Sequence, residues 1–134
     1  MAVDFFLKLD SINGESQDTN HKNEIQIMSW SWGGSQQTSV AGSGGSGAGK
    51  VNLSDLSIMK TYDIASVPLF KAMTTGTHIK TGVLTACKAG GNGNPFLKVS
   101  LGELLGTSIQ DSGSSEIPME SVYFSDHSIQ IQYS

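Results

Sequence analysis

Hydrophobic residues recur at every second position through much of this chain, and the places where that alternation slips are as informative as the places where it holds. Val3, Phe5, Leu7 and Leu9 alternate with Asp4, Phe6 and Lys8, the pattern of a strand with one buried face, and Asn13-Gly14 then marks a turn. From Glu24 to about Thr38 no breaker occurs before Gly33. At about 3.3 Å per residue that stretch would span about 50 Å, far more than an ordinary strand, so it must serve more than one sheet. Its phase changes inside: Ile25 and Ile27 are odd, whereas Met28, Trp30 and Trp32 are even. One extra residue near Ile27-Met28 would flip the inward face, as a β-bulge does where a strand passes between sheets. Val51/Leu53 followed by Leu56/Ile58 repeats the slip, and two bent strands side by side predict a barrel or a two-sheet sandwich.

One segment reads as a helix. Over residues 66–75, Ser66 can cap, Pro68 is tolerated in the first turn, Gly76 can terminate, and Leu69, Phe70 and Met73 form one apolar stripe. A lone helix of this length must pack on the β-layer to be stable. Strand patterns then resume. Ile79, Val83 and Cys87 share a face of the next strand, a dense turn follows at Gly90-Gly91-Asn92-Gly93-Asn94-Pro95, and Leu97, Val99 and Leu101 come after it. Thr107 to Ser115 is polar and loop-like. The end of the sequence carries Val122/Phe124 and Ile129/Ile131/Tyr133, separated by Ser125-Asp126-His127-Ser128.

At 134 residues the chain is expected to be one domain, 1–134, and 37% hydrophobic with 15% charged residues suits a β-rich shell. The net charge of -4 comes from 8 lysines against 12 acids, with no arginine. Arginine is the usual reader of guanine edges and phosphates, so no nucleic-acid partner is expected, nor an anionic membrane surface. No apolar run approaches the roughly 20 residues of a bilayer span, and the N-terminus lacks a basic leader and cleavage site. The expectation is a protein made in the cytoplasm that would leave it only by a specialised route, with no membrane insertion. Cys87 is the sole cysteine, which excludes an intrachain disulfide and reads as a small buried strand residue.

Candidate chemistry is sparse. Gly44-Gly45-Ser46-Gly47-Ala48-Gly49-Lys50 fits Gly-x-x-x-x-Gly-Lys, but Val51 stands where a hydroxyl would meet magnesium. The segment after it alternates as a strand, where a phosphate loop must open a helix. His21, His78 and His127 show no ligand spacing and read as exposed turn or strand-end residues, so no metal is expected. Consecutive strand residues point to opposite faces, so Asp126-His127-Ser128 cannot form a relay. No catalytic residue and no cofactor are expected. Trp30 and Trp32 share a strand face and read as an anchor behind a glycine-rich arm at about residues 40–50. Gly42, Gly44, Gly45, Gly47, Ala48, Gly49 and Lys50 in that arm can reach a neighbour. Ser31 points away from the tryptophans, to the outside or into a cavity wall.

Taken together, Met1-Ala2-Val3-Asp4, Gly14-Glu15-Ser16 with Asp18 and His21, Trp30-Ser31-Trp32-Gly33, Gly47-Ala48-Gly49-Lys50-Val51, Asp55-Leu56, Lys60, Asp63, Ser66, Pro68, Phe70, Gly76, His78 and Lys88-Ala89-Gly90-Gly91 give the chain a resemblance to a known family. It resembles the haemolysin-coregulated proteins, which form the tube of bacterial type VI secretion. The resemblance implies a mainly β fold: a β-barrel of two bent antiparallel sheets with one short α-helix packed on it and an extended glycine-rich loop. It further implies a homohexameric ring that stacks into a secreted tube, with a spike protein, a contractile sheath and small effector proteins as partners. Gly42 to Lys50 then become the contact between subunits or rings, and Ser31 a channel-lining candidate. Members of that family continue past the position of Tyr133, so Ile129, Ile131 and Tyr133 are expected in a less protected edge strand. Two other readings share parts of the pattern. A tail-tube protein of a phage-like particle would have the same barrel and stacking, and a carbohydrate-binding β-sandwich would use Trp30 and Trp32 as an exposed platform.

Overall fold

At Met28 the chain passes from one sheet to another, and the rest of the architecture follows from that step. A computed structural model describes residues 3–36, 51–89, 94–114 and 116–134. Strand β1 (Val3–Leu9) pairs with β2 (Ile25–Ile27), whereas β3 (Ser29–Ser31) pairs with β6 (Leu56–Thr61). Between β2 and β3 the Met28 N–H donates to the Met59 carbonyl at 2.7 Å. Ile25 and Ile27 are buried, Met28 is 56% exposed, and Trp30 turns back against the core. Met28 is therefore the extra residue that the phase change requires, and it does not share the face of the two tryptophans.

The long stretch is broken a second time at Trp32-Gly33, after which β4 (Gly34–Gln36) pairs with β5 (Val51–Leu53) in a separate two-stranded ribbon. The Ser54 hydroxyl closes the base of this ribbon, accepting from the Gly33 N–H at 2.9 Å and donating to the Gly33 carbonyl at 2.8 Å. The slip between Leu53 and Leu56 is the break between β5 and β6. Residues 37–50, which include the whole glycine-rich arm from Gly42 to Lys50, lie outside the described residues.

The second passage between sheets is made by β8 (Pro95–Ser112). Its first half pairs with β7 (Ile79–Lys88) on one side and β10 (Ser128–Tyr133) on the other, and its second half pairs with β9 (Met119–Ser125). Glu103, at φ 51°, and a register shift between Gly106 and Ser108 mark the bend. Thr107 to Ser112 is thus strand rather than the expected loop, because the bulge hides an alternation that resumes at Ile109. The ladder runs β2-β1-β7-β8-β9-β6-β3 with β10 added on β8, all antiparallel. Its two ends are successive pieces of one chain and are not hydrogen-bonded to each other. The expected barrel is an unclosed one. β10 pairs only with β8 among the described residues, the edge position expected for Ile129 to Tyr133.

Leu7, Leu9, Ile25, Ile27, Leu56, Ile58, Leu84, Leu104, Val122 and Phe124 fill the space between the layers. Each contributes about 1.5–3 kcal/mol by leaving water. Helix α1 (Ser66–Thr75) has the expected limits and packs on β8, with Leu69 buried and the Met73 Cβ 3.4 Å from where a side chain on Gly106 would begin. Gly76, at φ 67°, closes the helix as expected, its N–H reaching the Met73 carbonyl at 3.2 Å. Two details differ. Phe70 is 48% exposed, so the apolar stripe is narrower than expected. Ser66 is not the cap: Ala65 occupies that position, Asp63 accepts the Ala65 N–H at 3.0 Å, and the Ser66 hydroxyl turns inward.

The other face of β1 and β7 is covered by the connection between β1 and β2, which folds back through Gly14 N–H to the Asn23 carbonyl at 2.8 Å and Ser16 N–H to the Glu24 carbonyl at 3.0 Å. A side chain on Gly14 would begin 2.4 Å from the Glu24 carbonyl oxygen, so the close approach needs glycine. Under this loop Phe6 stacks on His21 with ring centres 4.5 Å apart. His21 is therefore buried, not an exposed turn residue, and Phe6 is not on a solvent face. Cys87 is buried as expected, but on the His21 side; Ile79 lies in the core as expected, and Leu84 joins it there in place of Val83 and Cys87.

Candidate functional site

The layer formed by β3, β6, β9 and the second half of β8 presents two contrasting faces. Register sets one row as Trp30, Ile58, Val122 and Ile109, which all pack into or against the core. The row next to it is Ser31, Ser57, Tyr123 and Ser108, and beyond lies Ser29, Met59, Ser121 and Gln110. Alternation turns these last two rows away from the core. Thr61, Met119 and Ser112 extend the same face. Within the paired strands it carries hydroxyls, amide, Met59, Met119 and Tyr123, and no charged side chain. Ser31 is exposed on it.

The charges of this layer lie on the inward side. Lys60 is 0% and Glu120 1% exposed, and they sit opposite one another in the ladder. The Lys60 Nζ donates to Glu120 Oε1 at 2.7 Å, to Asp63 Oδ1 at 2.6 Å and to the Ser66 hydroxyl at 2.9 Å. Ser66 donates in turn to Glu120 Oε1 at 2.9 Å. Burial pushes the Glu120 carboxyl up, but hydrogen bonds from Lys60, Asp111 and Ser66, together with the lysine charge, outweigh it and hold the group below its ordinary 4.5. The network ties β6, the turn before α1, the helix start and β9 together.

Three other places could carry chemistry. Cys87 Sγ lies 3.4 Å from His21 Nε2, and His21 Nδ1 lies 3.1 Å from both Glu24 oxygens. That has the connectivity of a nucleophile relay. Burial, then the charges of Asp18, Asp4 and Glu24, push the Cys87 thiol above its usual 9.0, however, which favours an unreactive thiol beneath a closed loop. A groove of about 370 Å³ runs between α1 and the strand ends, lined by Ile12, Pro68, Lys71, Ala72 and Ile79. A second, also about 370 Å³, lies at His78, Glu103, Leu105, Ser125, Asp126 and His127, where His78 Nδ1 is 3.5 Å from Glu103 Oε2. Burial first and the Asp55 charge second raise Asp126 above 3.8. Among the described residues no three His, Cys, Asp or Glu side chains converge as metal ligands.

Of the residues singled out in the sequence, Trp30 and Trp32 pack against the core, and Trp30 meets Phe5 edge-on at 6.3 Å. Half-buried in this way, they do not offer two free ring faces to a sugar. The arm from Gly42 to Lys50 lies outside the described residues. Lys60, Asp63 and Ser66 stand in the sequence only as separate motif residues and Ser31 only as a single candidate, so neither the network nor the neutral face is read from it. Their signal is positional: Lys60 follows Leu56 and Ile58 in the inward phase, and Glu120 precedes Val122 and Phe124 in the same phase.

Comparison with known proteins bears on this geometry. Residues 6–133 match the family described as "Type VI secretion system effector, Hcp". The chain is 40% identical over 115 residues to the protein Hcp1 of Pseudomonas aeruginosa, covering 85% of this chain and 71% of that one. The crystal structure of Hcp1 from Salmonella typhimurium superposes with a TM-score of 0.86 at 38% identity, over 99% of this chain and 87% of the other. A type VI secretion system effector from Yersinia pestis does so with a TM-score of 0.81 at 30% identity, over 97% and 88%.

Proposed function

The chain belongs to the Hcp family of type VI secretion proteins, and on that premise we propose that it is a non-catalytic tube subunit, closing into a hexameric ring whose rings stack and carry small effector proteins in the channel. The observation that carries this reading is the uncharged outward face of β3–β6–β9–β8. A strand face turned to open water ordinarily collects lysines and acids, yet this one has serines, Gln110, Met59 and Tyr123. Such a face suits a wall that must let folded cargo pass without long-range attraction or repulsion. Ser31 lies in that wall.

Ring closure needs the same two patches on every subunit, joined head to tail. The edge of β10 that is unpaired among the described residues, with Ile131 and Tyr133 exposed, supplies one patch, and the arm from Gly42 to Lys50 is the proposed contact for the other. Trp30 and Trp32 anchor the ribbon to the core. In this reading the protein is made in the bacterial cytoplasm and leaves with the tube, propelled by a contractile sheath behind a spike.

Light scattering on the full chain tests the ring: a mass of six subunits supports it, and a single-chain mass at all concentrations contradicts it. A bulky residue in place of Gly47 or Gly49 is expected to impair ring formation or stacking while thermal unfolding of the subunit stays unchanged. Loss of the fold in those variants would mean that the arm belongs to the core.

A further inference from the structure

Asp111 stands directly opposite Glu120 in the β8–β9 ladder, one pair before the last, Ser112 with Met119. Glu120 Oε1 is fully engaged by Lys60 and Ser66, but Oε2 is buried and meets no donor among the ordinary hydrogen-bonding groups. An ammonium has three N–H bonds, and those of Lys60 are directed to Asp63, Glu120 Oε1 and Ser66, with the Thr61 carbonyl a further 3.3 Å contact. None is left for Oε2. The Asp63 N–H is taken by Ser66, whose own proton goes to Glu120 Oε1. The Asp111 carboxyl, opposite Glu120 in the ladder, can donate to it only while it keeps its proton.

We propose that Asp111 and Glu120 hold one proton between them, and that this shared proton latches the Ser112–Met119 end of the β8–β9 ribbon, which loosens when Asp111 ionises. Every element packed here contributes a charged group: Lys60 from β6, Asp63 from the turn before α1, Glu120 from β9 and Asp111 from β8. One cation then faces three carboxyls, so a fully ionised set leaves two uncompensated negative charges instead of one. The proton resides on Asp111 because Glu120 is the carboxylate bound to Lys60 and Asp111 is the exposed member of the pair. The hydrogen bond to Glu120, then burial and the Glu120 charge, raise the Asp111 carboxyl above 3.8 against a smaller opposing pull from Lys60. A carboxyl raised in the folded state contributes stability that is complete below its unfolded value and is lost as pH rises through the folded one.

Asp111→Asn keeps an N–H donor towards Glu120 at every pH, whereas Asp111→Ala removes donor and proton together. In urea unfolding of the full chain, the midpoint of Asp111→Asn is expected to pull ahead of the natural protein as pH rises from about 4 to about 8. Asp111→Ala is expected below Asp111→Asn throughout. Amide exchange at Asp111, Ser112, Met119 and Glu120 is expected to lose protection with rising pH in the natural protein and to keep it in Asp111→Asn. A gap between Asp111→Asn and the natural protein that does not change with pH would overturn the proposal. So would equal behaviour of the Asn and Ala variants, or a carbon-detected titration of Asp111 at or below its ordinary value.

Discussion

The two faces of the β3–β6–β9–β8 layer invert the usual distribution of charge. Lys60 and Glu120 lie on the side sealed from water, while the side turned away from the core has serines, methionines and a tyrosine. Charged side chains are almost never fully buried unless paired, and here the Lys60 ammonium meets Asp63, Ser66 and Glu120 Oε1 within 3.0 Å, and Ser66 meets Glu120 Oε1 as well. A buried ion pair adds little net stability compared with a well-packed apolar substitute, but removing one partner is costly. The inward charges thus specify how β6, β9 and α1 meet. The outward face answers a different requirement, set by what passes along it or packs on it.

The largest expected effect separates the faces directly. Lys60→Met strands Glu120 in the interior and is expected to cost about 3–5 kcal/mol in urea unfolding. Ser57→Ala, three residues earlier on the outward face, is expected to change stability by no more than about 0.5 kcal/mol. Equal effects would mean that the two faces have been assigned wrongly. Acid sharpens the same contrast. Because Glu120 is held below its ordinary 4.5, its contribution is present above that value and is lost as pH falls through the folded one. The unfolding midpoint is expected to drop on acidification in the natural protein, and that part of the drop to vanish or change sign in Lys60→Met.

Smaller effects probe regions away from this layer. Gly76→Ala forces a side chain into a left-handed backbone at φ 67° and is expected to cost about 1 kcal/mol in thermal unfolding. Cys87, with its thiol pushed up by burial, is expected to react with a thiol reagent only at the rate at which the protein opens, so that low urea accelerates labelling. Rapid labelling in the folded state would show that the loop over His21 is not closed.

Alternation made much of this legible. It located β1, the passage between sheets at Ile27-Met28 and the limits of α1, because each is decided by neighbours a few residues apart. What depends on register between distant segments was not legible. Asp111 faces Glu120 only because a bulge between Gly106 and Ser108 resets the phase of β8, and that bulge made Thr107 to Ser112 read as loop. His21 looked like a turn residue because Phe6 and Cys87, its partners beneath the loop, are distant in sequence. Ser66 had the right chemistry for a cap and was taken instead by a buried lysine six residues earlier. The neutral face emerges only when four strands are aligned, since each contributes no more than a few unremarkable positions.

The most direct test is a three-dimensional reconstruction, at side-chain resolution, of the particles formed by the full chain. It is expected to show rings in which Ser31, Ser57, Tyr123 and Ser121 line the channel and Phe70 of α1 lies away from it. Particles with those four residues on the outer wall, or packed between stacked rings, would contradict the account.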